Sequence, residues 1–160
     1  MADVNPIPEG YPRVSPYLAV DGAADAIAWY VDVLGATERM RMPMGPGPDA
    51  KLGHAELQIG DSIVMLADAA PEVGHRSPKD LGGAGVSLMM YVEDVDAVHA
   101  RALAAGATED RAVETQFYGD RSGHFTDPWG HRWTVASHVE DVSAEEMERR
   151  MAAMGDAPGG

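Results

Sequence analysis

Residues Phe117–Trp133 read F-Y-G-D-R-S-G-H-F-T-D-P-W-G-H-R-W, and the centre of this stretch, Asp127-Pro128-Trp129-Gly130, has the chemistry of a tight hairpin loop. An aspartate at the first position accepts local backbone hydrogen bonds. Pro128 presets φ for the second, and Gly130 can take the left-handed conformation that closes a bulged turn. Strand-forming text flanks the loop, His124-Phe125-Thr126 before it and Arg132-Trp133-Thr134-Val135 after. The hairpin gains meaning from what precedes it, because the chain carries similar text twice.

Working back from it, Gly35-Ala36-Thr37-Glu38 recurs 71 residues later as Gly106-Ala107-Thr108-Glu109, and Asp25-Ala26-Ile27 recurs as Asp96-Ala97-Val98. Gly53-His54 returns as Gly123-His124 and Gly60 as Gly130, both 70 residues on. A fixed period of this kind marks a duplicated supersecondary unit. The first copy predicts a strand over 14–20, with Pro16 favouring an edge or a strand start. A helix over 23–34 follows, with Asp21 as N-cap, a face of Ala23, Ile27, Val31 and Leu34, and Gly35 as stop. Strands at 37–42, 54–59 and 63–67 complete it. In the second copy, Asp94 caps a helix whose face is Val95, Val98, Ala102 and Leu103.

The expected fold class is therefore α+β, two tandem β-α-β-β-β modules whose curved mixed sheets surround a cleft, with a C-terminal helix. The expected divisions are an irregular arm at 1–13, modules at 14–70 and 86–140, a Pro/Gly-rich linker at 71–85, a helix at 141–154 and a disordered tail at 155–160. Ala55/Leu57/Ile59, Ile63/Met65 and Trp133/Val135 are the expected core faces against the helices. The last helix carries Ser143 and Glu146 as a capping box and a stripe of Met147, Met151 and Met154. That stripe suits either the chain's own sheet or a dimer contact.

Composition narrows the function. The 160-residue chain has no cysteine, which removes disulfides, thiolate metal sites and cysteine nucleophiles. Its formal net charge of −14, from 26 acidic and 12 basic side chains, disfavours nucleic acid and anionic membranes as partners. No apolar run has the ~18 residues of a membrane span, and the first ten residues lack the order of a signal peptide. A cytoplasmic protein is expected. Lys51 and Lys79, the two lysines, lie in loop text, which disfavours Schiff-base chemistry. No nucleophile elbow or phosphate-binding glycine loop occurs.

The two-module order, A-I-A-W-Y-V-D-V-L-G-A (Ala26–Ala36), G-H-A-E-L (Gly53–Leu57) and the Tyr118–Trp133 text together resemble the vicinal oxygen chelate superfamily. The similarity is to its glyoxalase/bleomycin-resistance-like members, in particular the PhnB-like branch, over roughly residues 14–140. It implies paired modules, usually a homodimer, and in metal-using members four ligand positions. Those positions fall here on Ser15, Val64, Ser87 and Thr134, none of them an imidazole or carboxylate. Because a divalent metal needs about three or more converging donors, the expectation is no metal and no other cofactor.

By strand alternation, His54, Glu56 and Gln58 of the first module and His124, Thr126, Arg132, Thr134 and His138 of the second should face the cleft, opposite Tyr17, Met89 and Tyr91. His54 with Glu56, or His124, are the candidate catalytic groups, since a carboxylate raises the basicity of a neighbouring imidazole. Tyr17, Gln58, Met89, Tyr91, Arg121, Arg132, Thr134 and His138 are the candidate ligand-binding residues. Arg121 either pairs locally or holds an anionic group. His99 is expected half exposed and Trp129 exposed at the turn tip. Three functions follow. The first is a metal-independent protein holding an apolar or aromatic small molecule in the inter-module cleft. The second is a lyase or isomerase on the same scaffold, using those bases or an off-pattern metal. The third is an interaction protein working through its last helix.

Overall fold

The computed structural model describes residues 5–155, so the outermost arm residues and the tail from 156, expected to be disordered, lie outside it. Among the described residues before the first strand there is no regular element. The order is β1 (Tyr17–Val20), α1 (Ala23–Leu34), β2 (Thr37–Pro43), β3 (Leu52–Ile59), β4 (Ser62–Asp68), α2 (Pro78–Leu81), β5 (Ser87–Tyr91), α3 (Val95–Ala104), β6 (Thr108–Thr115), β7 (Asp120–Thr126), β8 (Arg132–His138) and α4 (Ala144–Gly155). The class is α+β. Two four-stranded mixed sheets run β1-β4-β3-β2 and β5-β8-β7-β6, each with its first strand parallel to its last. The two compact units divide between Ala84 and Gly85.

In the first unit α1 covers one sheet face. Ala55 pairs with Leu66 and Leu57 with Val64, and all four are buried. Their helix partners are Ala23, Ala26, Ile27, Tyr30, Val33 and Leu34, whereas Val31 is 37 % exposed. The apolar stripe is thus rotated from the expected one, with Tyr30 at its centre. The face of β4 also differs from expectation. Val64 and Leu66 meet the helix, while Ile63 and Met65 pair with Gln58 and Glu56 on the opposite side. Alternation carries no signal in Ile63-Val64-Met65-Leu66-Ala67, where every residue is apolar.

Asp21 is not the N-cap of α1. Gly22 occupies that position with φ 92°, and no side chain of its own caps the helix. The buried Asp68 at the end of β4 does so instead. Its carboxylate accepts from the backbone N–H of Gly22 and Ala23 and, from the other side, of Leu52. Asp21 accepts from the Ser77 hydroxyl. Ser77 is wholly buried and caps α2 through a reciprocal capping box with Asp80. The expected linker is therefore largely folded, with a 3₁₀ turn at Pro71–Val73 and a bridge between Ala70 and His75.

In the second unit Asp94 does cap α3, through Ala97 N–H. His99 is 4 % exposed and forms the core of that helix with Val95 and Ala102, contrary to the half-exposed placement. It fits because Gly123 lies opposite. A Cβ there would stand 2.8 Å from the His99 ring and 2.7 Å from Val113. The Asp127 turn forms as read, with Asp127 N–H bonded to His131 O and Gly130 at φ 93°. Its carboxylate takes the N–H of Trp129, of His131 and of the Trp133 indole. This network folds Trp129 inward to 8 % exposure, so the turn-tip tryptophan is core. Ser143 caps α4 through Glu146 N–H, but the Glu146 carboxylate turns to Arg149 and Arg150 instead of closing the box.

Candidate functional site

Strand pairing sorts each sheet's side chains into a helix-covered face and an open face. On the open face of the first sheet, one row across the strands reads Tyr17, Met65, Glu56, Met40. His54 follows on β3, paired with Met42. In the second sheet the row reads Met89, Thr134, His124, Arg111. Tyr17 and Met89 each stand six residues before the first residue of their module's helix, Ala23 and Val95. The two rows are therefore equivalent, and Glu56 corresponds to His124. The textual match of His54 with His124 is two residues out of register. Eight residues separate β2 from β3 and only four separate β6 from β7, which displaces the rhyme.

His54 and Glu56 meet, with Nε2 to Oε1 at 3.2 Å. Tyr17 Oη is 2.7 Å from His54 Nδ1. Tyr11, from the N-terminal arm, donates its hydroxyl to Glu56 Oε2 at 2.8 Å, while the Arg39 guanidinium lies over the Tyr11 ring and 3.9 Å from the same oxygen. Burial raises the pKa of Glu56, but the bonds from Tyr11 and His54 and the charge of Arg39 outweigh it and hold the carboxyl below its ordinary range. An ionised Glu56 accepts from His54 Nε2–H. In a neutral imidazole, His54 Nδ1 then accepts the Tyr17 proton. Both ring nitrogens of His54 are thus engaged. Tyr17 is pushed up by burial and by the Glu56 charge, so its phenol keeps its proton at neutral pH.

Around this network the face is apolar. Met40, Met42 and Met44 are 39–59 % exposed, and Tyr17 is 46 % exposed. A cavity of about 320 Å³ adjoins Tyr17, lined also by Met44, Gly53, Ala70, Val73 and His75. The His75 ring stands edge-on to Tyr17. Gln58, a sequence candidate on the same face, donates to Gly60 O within its own turn.

The second sheet distributes its candidates over two clusters. Tyr91 donates to Asp120 Oδ2, and His138 Nδ1 is 2.7 Å from Asp120 Oδ1, with Asp141 3.0 Å from its other nitrogen. The His138 bond holds the buried Asp120 below its ordinary range against burial, and the same bond, with Asp141, raises His138. The other cluster is His124 with Thr134 Oγ1 at 3.0 Å, near Arg111 and Arg132. Arg121 is elsewhere. It pairs with Asp96 of α3 on the helix side, at 2.6 Å, which is the local pairing of the two alternatives.

Residues 12–135 match the Glyoxalase/Bleomycin resistance protein/Dioxygenase superfamily. The chain belongs to that superfamily. An uncharacterized protein of Mycobacterium bovis, Mb0911c, is 45 % identical over 148 residues, 91 % of this chain and 95 % of that one. Protein PA1353 from Pseudomonas aeruginosa has a similar crystal structure, with a TM-score of 0.64, 25 % identity, and 81 % of this chain and 99 % of that one covered. A PhnB protein from Bacillus cereus shares the fold, with a TM-score of 0.61, 17 % identity and 79 % and 99 % coverage.

The superfamily's metal positions can be relocated on the observed pairing. Thr134 corresponds to Met65, because both pair with the equivalent residues Met89 and Tyr17. Val64, expected there, points to the helix side with Leu57. The residues at these positions, Ser15 and Met65 in the first unit and Ser87 and Thr134 in the second, carry hydroxyls and a thioether, ill suited to a divalent cation that prefers imidazole or carboxylate. No group of three or more His, Asp or Glu among the described residues is placed to hold a metal. Sequence reasoning missed Tyr11, Arg111 and Asp120. The first two lie in irregular or edge text, and Asp120 reads as an ordinary loop acid.

Proposed function

We propose that this superfamily member is a metal-independent small-molecule-binding protein that holds an apolar or aromatic compound against the open face of its first sheet. The observation that carries this reading is the Tyr17–His54–Glu56–Tyr11 network, whose polar groups satisfy one another inside a wall of methionines and tyrosines. A site of that kind offers little free hydrogen-bonding capacity and much deformable apolar surface, which suits a planar or greasy ligand. The closure of His54 Nδ1 by Tyr17 favours binding over proton abstraction. We further propose a PhnB-like placement within the superfamily, supported by the Ala26–Ala36, Gly53–Leu57 and Tyr118–Trp133 text. A homodimer in the cytoplasm completes the reading, with the methionines of α4 as the contact; no described helix is long and apolar enough to cross a membrane.

The lyase or isomerase reading keeps one specific support, the 3.2 Å contact of His54 with Glu56. One experiment separates the two. Aromatic compounds such as naphthalene derivatives are titrated by calorimetry before and after exhaustive chelation, with Met42→Glu and His54→Gln alongside. Binding that survives chelation and falls about tenfold or more in Met42→Glu is expected, from the lost apolar burial and the added charge. Binding that vanishes on chelation would refute metal independence. Turnover of a bound compound, abolished by His54→Gln, would establish the enzyme instead.

A further inference from the structure

We infer that the open face of the second sheet is itself an oxyanion site, where Arg111 and Arg132 with the Thr134 and Ser87 hydroxyls receive the carboxylate or phosphate group of a small molecule. The inference concerns the second sheet alone and goes beyond the first-sheet reading above.

The two sheets are equivalent in row but opposite in charge. Where the first sheet places Glu56 and Met40, the second places His124 and Arg111. This contrast stands out in a chain of net charge −14. Four other arginines are paired with carboxylates: Arg41 with Glu38, Arg121 with Asp96, Arg149 with Glu146, and Arg150 with Glu140 and Glu146. The Arg111 guanidinium forms no hydrogen bond or ion pair within the described residues. It pairs in register with His124, so its guanidinium belongs to the open face.

Arg132 pairs in register with Ser87 on one side and Thr126 on the other. The acid nearby is Asp110, whose Oδ2 accepts from Thr126 Oγ1 at 2.8 Å and lies 3.7 Å from Arg132 Nε. That loose contact through Nε leaves both terminal nitrogens of Arg132 available. Two guanidinium charges against one carboxylate leave the cluster with one net positive charge. His124 reports the same balance. Burial lowers its pKa first, then Arg111 and Arg132 lower it further, with His99 behind the sheet adding to them and Asp110 opposing. A neutral imidazole bonded to Thr134 therefore sits between two cations. Forked guanidinium donors beside hydroxyls are the groups that recognise planar carboxylates and tetrahedral phosphates.

The test has two parts. In the first, inorganic phosphate and acetate are titrated into the full chain while the His124 ring is followed by NMR at several pH values. An anion between the arginines offsets their charge, so the His124 titration midpoint should move upward on saturation. Arg111→Gln and Arg132→Gln should abolish the movement, and Arg149→Gln, on α4 and paired with Glu146, should preserve it. A midpoint indifferent to both anions would overturn the inference. In the second, benzoate, phenyl phosphate and benzyl alcohol are compared by calorimetry. The two anions should bind about tenfold or more tightly than the alcohol, and each arginine variant should remove most of that preference. Equal binding of all three would overturn the oxyanion site and leave the small-molecule reading standing. A shift of His124 by phosphate without binding of any aromatic would do the reverse. Whichever of benzoate and phenyl phosphate binds better identifies the headgroup.

Discussion

At the scale of single residues, burial here is decided by what the residue opposite leaves room for. His99 reads from its sequence neighbours as a half-exposed position, yet it fills the space that Gly123 vacates across α3 and β7. Gly123 has an ordinary strand conformation, so its side-chain absence is a packing requirement and not a backbone one. Gly123→Ala is expected to destabilise the fold by about 1–3 kcal/mol through overpacking. Thermal denaturation should show a lower midpoint, partly restored when His99→Ala is added, because the two residues compete for one volume. A Gly123→Ala midpoint equal to that of the native chain would show that the His99 ring has another place to go. The same logic explains Trp129. Three donors converging on Asp127 turn a loop-tip indole into core, and no local pattern announces that convergence.

At the scale of elements, both modules set a buried carboxylate on the third strand, Glu56 or Asp120, against a tyrosine and a histidine. The wiring differs because the partners come from different places, the arm and β3 in one case and β5 and β8 in the other. The Asp120–His138 pair makes a pH signature. His138 is raised above its ordinary 6.5, so its contribution is complete below that value and disappears as pH rises through the folded pKa. Asp120 is lowered below its ordinary 3.8, so its contribution is complete above that value and disappears as pH falls through the folded pKa. The difference in melting temperature between the native chain and His138→Gln should therefore be largest between 3.8 and 6.5 and shrink on both sides. A difference independent of pH would assign His138 a packing role only. The half-exposed position of His138 keeps the effect modest.

Several elements were readable in advance because their signals are local. The capped α3, the Asp127–Gly130 hairpin and the alternation of Gly53–Ile59 follow from neighbours a few residues apart. The apolar run Ile63–Ala67 was not readable, since a strand with no polar residue has no period to read. The α1 face was rotated for a related reason: Trp29, Tyr30 and Val31 are all apolar, and only packing selects Tyr30. The candidate site divided in the same way. His54 and Glu56 share a face by alternation alone, and they do meet. Tyr11, forty-five residues away from Glu56, reaches it only in three dimensions.

At the scale of the whole molecule, α4 ends the described chain with Met147 half-buried and with Met151 and Met154 exposed by 48 % and 60 %. The helix is anchored to its own unit through Arg150, which donates to Phe117 O and pairs with Glu140. The methionine stripe is left outside that anchor. The homodimer proposed above predicts a sedimentation coefficient that rises with protein concentration, and Met147→Glu with Met151→Glu should reduce it to the monomer value. A native chain that sediments as a monomer at all concentrations, or a double variant that remains dimeric, would remove α4 from the assembly.

The sequence by itself determined the duplication, the α+β class and the turn chemistry, because these depend on residue types at fixed local spacing. Tertiary structure alone decided which face of β4 meets the helix, that Met65 and not Val64 matches Thr134, and that Arg111 lies beside His124 without a side-chain partner among the described residues while Arg121 is consumed by Asp96. Such assignments depend on cross-strand register, which is set by loop lengths and by the packing of whole sheets on their helices. A one-residue slip in register leaves the text unchanged and moves every side chain to the other face.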